Sequence, residues 1–154
     1  MSEKYKNKYR IKSMRLPNWD YGNNGRYFIT ICTQNRICFF GKIINREMQL
    51  NTMGKLAYKY WDEIPIHFPF VKLGEFAIMP DHMHGILIID KTDVESKTII
   101  VDTLHCNVST TNTKNQQMAN ISPKPGSIST IIRSYKSVVT KNVRKIHTDF
   151  GWQS

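Results

Sequence analysis

The spacing of apolar positions changes several times along the chain, and each change predicts an element. After the turn-forming stretch PNWDYGNNGR, residues 17–26, the run YFITICT is aromatic and β-branched and reads as a strand. ICFFGKII, residues 37–44, reads as its neighbour, joined through QNR as an antiparallel hairpin. From Asn51 the period becomes helical, with Met53, Leu56, Ala57, Tyr60, Trp61 and Ile64 on one stripe, Asn51 or Thr52 as cap and Pro65 ending the run. VKLGEFAIMP and HMHGILIID return to strand character, interrupted at Pro80 and Asp81, because proline has no N–H to give a central ladder. In SISTIIRSYKSVVTKNVRKI, Ile128, Ile131, Ile132, Tyr135, Val138, Val139 and Ile146 form an apolar stripe, with Arg133, Lys136, Lys141, Arg144 and Lys145 elsewhere. The order β-β-α-β-(β)-α predicts an α+β domain whose antiparallel sheet carries its helices on one face.

Two segments stand outside this pattern. Residues 1–16 hold Lys4, Lys6, Lys8, Arg10, Lys12 and Arg15 against the single acid Glu3, a basic N-terminal arm that is either a phosphate-contacting device or a solvated tail. Residues 92–126 are mostly Thr, Asn, Ser, Lys and Gln, a polar insert within a domain spanning 17–154. The 154 residues, 40% of them hydrophobic, suffice for one core rather than two. A net charge of +10 points to a polyanionic partner such as nucleic acid. No stretch approaches the roughly 20 apolar residues of a membrane span, and the N-terminus lacks a signal-peptide core, so a cytoplasmic protein is expected. Cys32, Cys38 and Cys106 form no CxxC pair, which argues against a disulfide framework or a thiolate zinc site.

Charge narrows the partner, and the histidines suggest the chemistry. On a strand, residues i and i+2 share a face, so His82 and His84 present two imidazoles side by side. That spacing suits two ligands of one metal ion: zinc, copper, iron, nickel or manganese, or magnesium when the other ligands are oxygens. Two ordinary strand histidines are the plain alternative to HxH alone. His67, His105 and His147 have no neighbour at ligand spacing, and His67 reads as a packing residue. In a basic protein such an ion can polarise a phosphodiester, and a tyrosine hydroxyl is a suitable nucleophile because phosphotyrosine conserves the bond for rejoining. Tyr135 is the catalytic candidate by composition, yet its stripe-mates Ile131, Ile132, Val138 and Val139 assign its ring to the core. Trp19, Tyr21 and Trp152 are candidates for stacking on bases or for packing.

Taken together, RLPNWDY, GRYFITICTQNR, FGKI, MPDHMHGILII, GSISTIIRSYKSVVTK and FGWQ resemble, in order and approximate spacing, the REP-associated tyrosine transposases of the single-tyrosine HUH superfamily. The likeness runs from about Arg10 to Gln153. It implies a ferredoxin-like α+β fold, often dimeric, and endonuclease and strand-transfer activity on single-stranded or hairpin DNA during DNA transposition and recombination. It further implies metal binding by His82 and His84, with magnesium or manganese as cofactor, and a 5′-phosphotyrosine intermediate. Arg10, Lys12, Arg15, Arg133, Lys136, Lys141 and Arg144 are the DNA-binding candidates. Two departures stand out. Pro80 and Asp81 replace the usual Pro-Asn, and no counterpart of the family's tyrosine-bearing final helix follows Gln153, which reads as a C-terminal truncation. The expectation is weak or absent cleavage, with a non-catalytic hairpin or single-stranded DNA-binding module as the alternative.

Overall fold

A computed structural model of the chain describes residues 16–92 and 124–153, together with two short strands near the N-terminus, Lys4–Tyr5 (β1) and Lys8–Tyr9 (β2), which pair with each other. Arg10, Lys12, Arg15, His105, Cys106 and most of the polar insert lie outside the described residues.

The main sheet is built from Gly25–Cys32 (β3), Val71–Ile78 (β6) and His82–Ile89 (β7), in the order β3-β7-β6 with both pairings antiparallel. The helix Thr52–Asp62 (α1) links β3 to β6, and Ile128–Val143 (α3) follows β7, which gives the expected ferredoxin-like α+β arrangement. A single helical turn, Ile64–His67 (α2), with proline in its first turn, follows α1. Asn51 is the cap of α1: its side-chain oxygen accepts from the Gly54 N–H at 2.9 Å, and its amide donates to the Phe39 carbonyl.

Burial along β7 alternates strictly, with Met83, Gly85, Leu87 and Ile89 inside and His82, His84, Ile86 and Ile88 partly exposed. The inward set meets Ala57 and Trp61 of α1 and Ile131, Tyr135 and Val139 of α3 in one core. Gly85 is required there, since a Cβ would lie 2.4 Å from Cζ2 of Trp61. Both helices therefore cover one face of the sheet, and among the described residues no element covers the other.

Three expectations are corrected. YFITICT does not form a hairpin with ICFFGKII: β3 pairs with β7, and QNR is a 3-10 turn with Asn35 and Arg36 at positive φ. Phe39 and Phe40 leave the strand pattern because they fill the core beside Phe150. Gly41–Ile44 (β4) instead pairs with Glu47–Leu50 (β5) through Asn45 and Arg46, both at positive φ as a two-residue hairpin turn demands. Ile146 lies beyond the end of α3 and is exposed, while Val143 takes the last buried position of the stripe. His67 is exposed rather than packed.

Candidate functional site

The proline break at Met79–Asp81 turns the chain from β6 into β7, with the Met79 N–H closing on the His82 carbonyl at 2.8 Å. His82 and His84 thus open β7 on the uncovered face, their ring centroids 4.7 Å apart and their planes at 75°. Cross-strand register places Cys32 opposite His82 and Thr30 opposite His84, with Ala77 of β6 on the other side of His84.

Each ring is held at Nδ1. The His82 Nδ1 lies 2.6 Å from a carboxylate oxygen of Asp81, and the His84 Nδ1 lies 2.9 Å from the Thr30 hydroxyl. The hydrogen bond from His82 holds the Asp81 carboxyl below its ordinary range, aided by the charges of His82 and Arg36 and opposed by partial desolvation. An ionised carboxylate only accepts, so the His82 Nδ1 is the donor in this bond, and a neutral ring so bonded keeps its lone pair on Nε2. When Thr30 accepts from His84, the second ring is left in the same state. Carboxylate or hydroxyl behind imidazole is the usual support of a metal-binding histidine, and the donor set fits a divalent ion in this respect. Among the described residues no third His, Cys, Asp or Glu joins the pair.

The face continues with Phe28, which is 69% exposed and stacked on His84 with centroids 5.4 Å apart and planes at 20°. A large apolar ring left this open beside an imidazole is the unusual feature of the face, and sequence reasoning missed it: Phe28 was legible only as a strand aromatic. Period-two alternation from Thr30 was the signal that could have found it.

The other expected site residues fall in two places. Arg133, Lys136, Lys141 and Arg144 line, with Arg26, an open groove of about 1310 Å³ between α3 and the outer edge of β3. Lys136 also lies over the Trp152 ring, and burial lowers its pKa. Tyr135 lies on the helix side of the sheet, 2% exposed, donating its hydroxyl to the Ala57 carbonyl at 3.1 Å and touching Met83 Sδ at 3.0 Å. Desolvation pushes its phenol pKa far up. It is a core residue and does not reach the imidazole face. Trp152 packs against Phe40, Tyr135 and Phe150 and donates its indole N–H to Thr140 Oγ1, so it is not an exposed stacking surface, whereas Trp19 is exposed.

Fold and face define a class: an α+β protein with one sheet face packed by helices and the other open, carrying a paired-imidazole site next to a bare aromatic ring. No protein-family model matches the chain, and no solved structure matches it. An uncharacterized protein of Haemophilus influenzae (strain ATCC 51907 / DSM 11121 / KW20 / Rd) is 40% identical over 146 residues, a match covering 92% of this chain and 73% of that protein. The chain belongs to the same family as that Haemophilus protein. Among the described residues no helix is long and apolar enough to cross a membrane.

Proposed function

We propose that the open sheet face is a metal-assisted site for single-stranded or hairpin DNA, of the kind used by the HUH transposases that the sequence resembles. The observation that carries this reading is the support of both imidazoles at Nδ1 by Asp81 and Thr30, on a face that no described element covers. When bound there, a divalent ion supplies Lewis-acid polarisation of a phosphoryl oxygen. His82 and His84 would hold it through Nε2, and Asp81 and Thr30 keep the rings from turning away. Phe28 offers a face for an unstacked base, and Arg26 stands on the same side of β3 to meet phosphate. The cations of α3 around the neighbouring edge raise the positive potential that draws a nucleic-acid backbone to this side.

Tyr135 is not the nucleophile of this scheme, and a phosphotyrosine step needs a different hydroxyl. That burial favours a second reading, a non-catalytic module that binds DNA hairpins without cleaving them. One set of measurements tests both. Manganese should broaden the ring signals of His82 and His84 before any others, and His82→Ala with His84→Ala should abolish the effect and any cleavage of a hairpin oligonucleotide. Binding of the same oligonucleotide should fall steeply with salt. Oligonucleotide binding indifferent to the double substitution and to metal would support the module. Absence of both manganese and oligonucleotide binding would remove the reading altogether.

A further inference from the structure

Arg36 stands beside the imidazole pair on a strained backbone. Gln34, Asn35 and Arg36 leave β3 as a 3-10 turn in which Asn35 and Arg36 have φ of 53° and 57°. That left-handed region suits asparagine but costs an arginine, whose Cβ comes too close to a carbonyl oxygen. Bonds on every side fix the turn in this state. The Gln34 N–H donates to the Gly151 carbonyl at 2.9 Å, and the Arg36 and Ile37 N–H groups donate to the Thr33 and Gln34 carbonyls at 3.2 Å. Thr33 is fully buried: its N–H donates to the Asp81 carbonyl at 2.9 Å, and its hydroxyl lies 2.8 Å from the carbonyls of both Asp81 and Ile37. The turn is thereby locked to the residue that supports His82.

The lock sets a guanidinium at the carboxylate behind His82. One oxygen of Asp81 lies 2.6 Å from the His82 Nδ1, and the other lies 3.5 Å from Nη1 of Arg36. The Arg36 side chain is 59% exposed and has no other polar partner among the described residues, so its remaining N–H donors are free. An exposed ion pair of this length adds little stability and does not offset the strain beneath it. Backbone strain that the surroundings enforce gathers at functional sites, and the chemistry here supplies a reason. A phosphate drawn to the imidazoles meets the negative charge of Asp81 and is repelled. A guanidinium removes that repulsion, because its planar fork can bond a carboxylate along one edge and a phosphate along another. Given the DNA reading of this face, on which the inference rests, we propose that Arg36 is a phosphate-binding residue of the site, bridging Asp81 to the nucleic-acid phosphate held at His82 and His84. Arg26 and the cations of α3 lie along the edge of β3, whereas Arg36 stands at the strand end where His82 opens β7. Its contact therefore falls on the phosphate at the imidazoles and not on the flanking backbone.

The test uses the full chain and a fluorescent hairpin oligonucleotide with a single-stranded flank. Asparagine suits the backbone at this position, so Arg36→Asn should fold with an unchanged or higher Tm. It should nonetheless bind the oligonucleotide about tenfold more weakly, and the slope of log affinity against log salt should shrink by about one. Arg36→Lys keeps the charge and hence the slope, but loses the fork and should fall between the two in affinity. Manganese broadening of the His82 and His84 signals without DNA should be the same in both variants and the parent. Parental affinity and slope in Arg36→Asn overturn the proposal, while oligonucleotide binding that still needs the imidazoles leaves the DNA reading standing. A lowered Tm in Arg36→Asn assigns the arginine to the fold and overturns it too. Binding that needs Arg36 yet ignores His82→Ala with His84→Ala overturns its place at the imidazoles. A parent chain that binds no oligonucleotide fails the DNA reading itself, and this assignment with it.

Discussion

Gly85 lies directly between the site and the core, and replacing it with alanine tests how tightly the two are joined. The added Cβ would come 2.4 Å from Cζ2 and 2.9 Å from Cε2 of Trp61, and 3.1 Å from Cβ of Phe76. Trp61 is fully buried with Tyr135 edge-on at 5.2 Å, so the indole cannot retreat without displacing the α3 side of the core. Gly85 has no positive φ, and alanine gains about 0.5 kcal/mol there from lower chain entropy in the unfolded state. Overpacking costs about 1–3 kcal/mol. The net expectation is a loss of about 2 kcal/mol, which for a chain of this size lowers Tm by about 4–8 °C. Urea and thermal unfolding measure it. Adding Trp61→Phe removes the second indole ring, and with it the clash and a buried Nε1 that has no hydrogen-bond partner among the described residues. The double variant should then lose less than the sum of the two single losses, by about 1 kcal/mol or more. A parental Tm in Gly85→Ala, or strict additivity in the cycle, would refute the packing argument. The imidazoles face away from the clash, so the manganese binding proposed for them should be unaffected in the folded variant.

Three further outcomes follow from the same structure. Tyr135→Phe loses the hydrogen bond to the Ala57 carbonyl and should cost about 1 kcal/mol by urea denaturation while leaving manganese and oligonucleotide binding unchanged; loss of either with stability intact would return Tyr135 to the site. Asn51→Ala removes the cap of α1 and the bond to the Phe39 carbonyl and should destabilise by about 1–2 kcal/mol, with Asn51→Asp recovering the cap alone. Thr92 and Lys72 hold the Asp90 carboxyl down at about 2, so its stabilising contribution is complete above the ordinary carboxylate pKa and disappears as pH falls through about 2. Asp90→Asn should flatten the pH dependence of Tm across that acid window and leave the neutral region unchanged in slope.

Much of the frame was legible because period reports burial. The helical stripe from Met53 to Trp61, the cap at Asn51, the break at Pro80 and the basic helix of Ile128–Val143 all follow from local backbone chemistry, whereas Ile64 and Pro65 open the separate turn α2 instead of closing α1. The hairpin assigned to YFITICT and ICFFGKII failed for the opposite reason: strand partners are chosen by which faces must be buried together, and β3 found β7, a distant segment in which His82 is the partner of Cys32. Phe39 and Phe40 looked like strand residues only until Phe150 supplied the aromatic cluster that holds them.

For the candidate site the division is sharper. That His82 and His84 share a face was settled by the sequence alone, because successive strand residues point to opposite sides whatever surrounds them. Which face it would be, open or packed, was decided only when α1 and α3 settled on the side of Met83 and Gly85. The same choice placed Thr30 behind His84 and Phe28 beside it, buried Tyr135, and gathered the cations of α3 along β3's edge. Period is a local property of the backbone, whereas coverage of a face depends on distant segments meeting across the core.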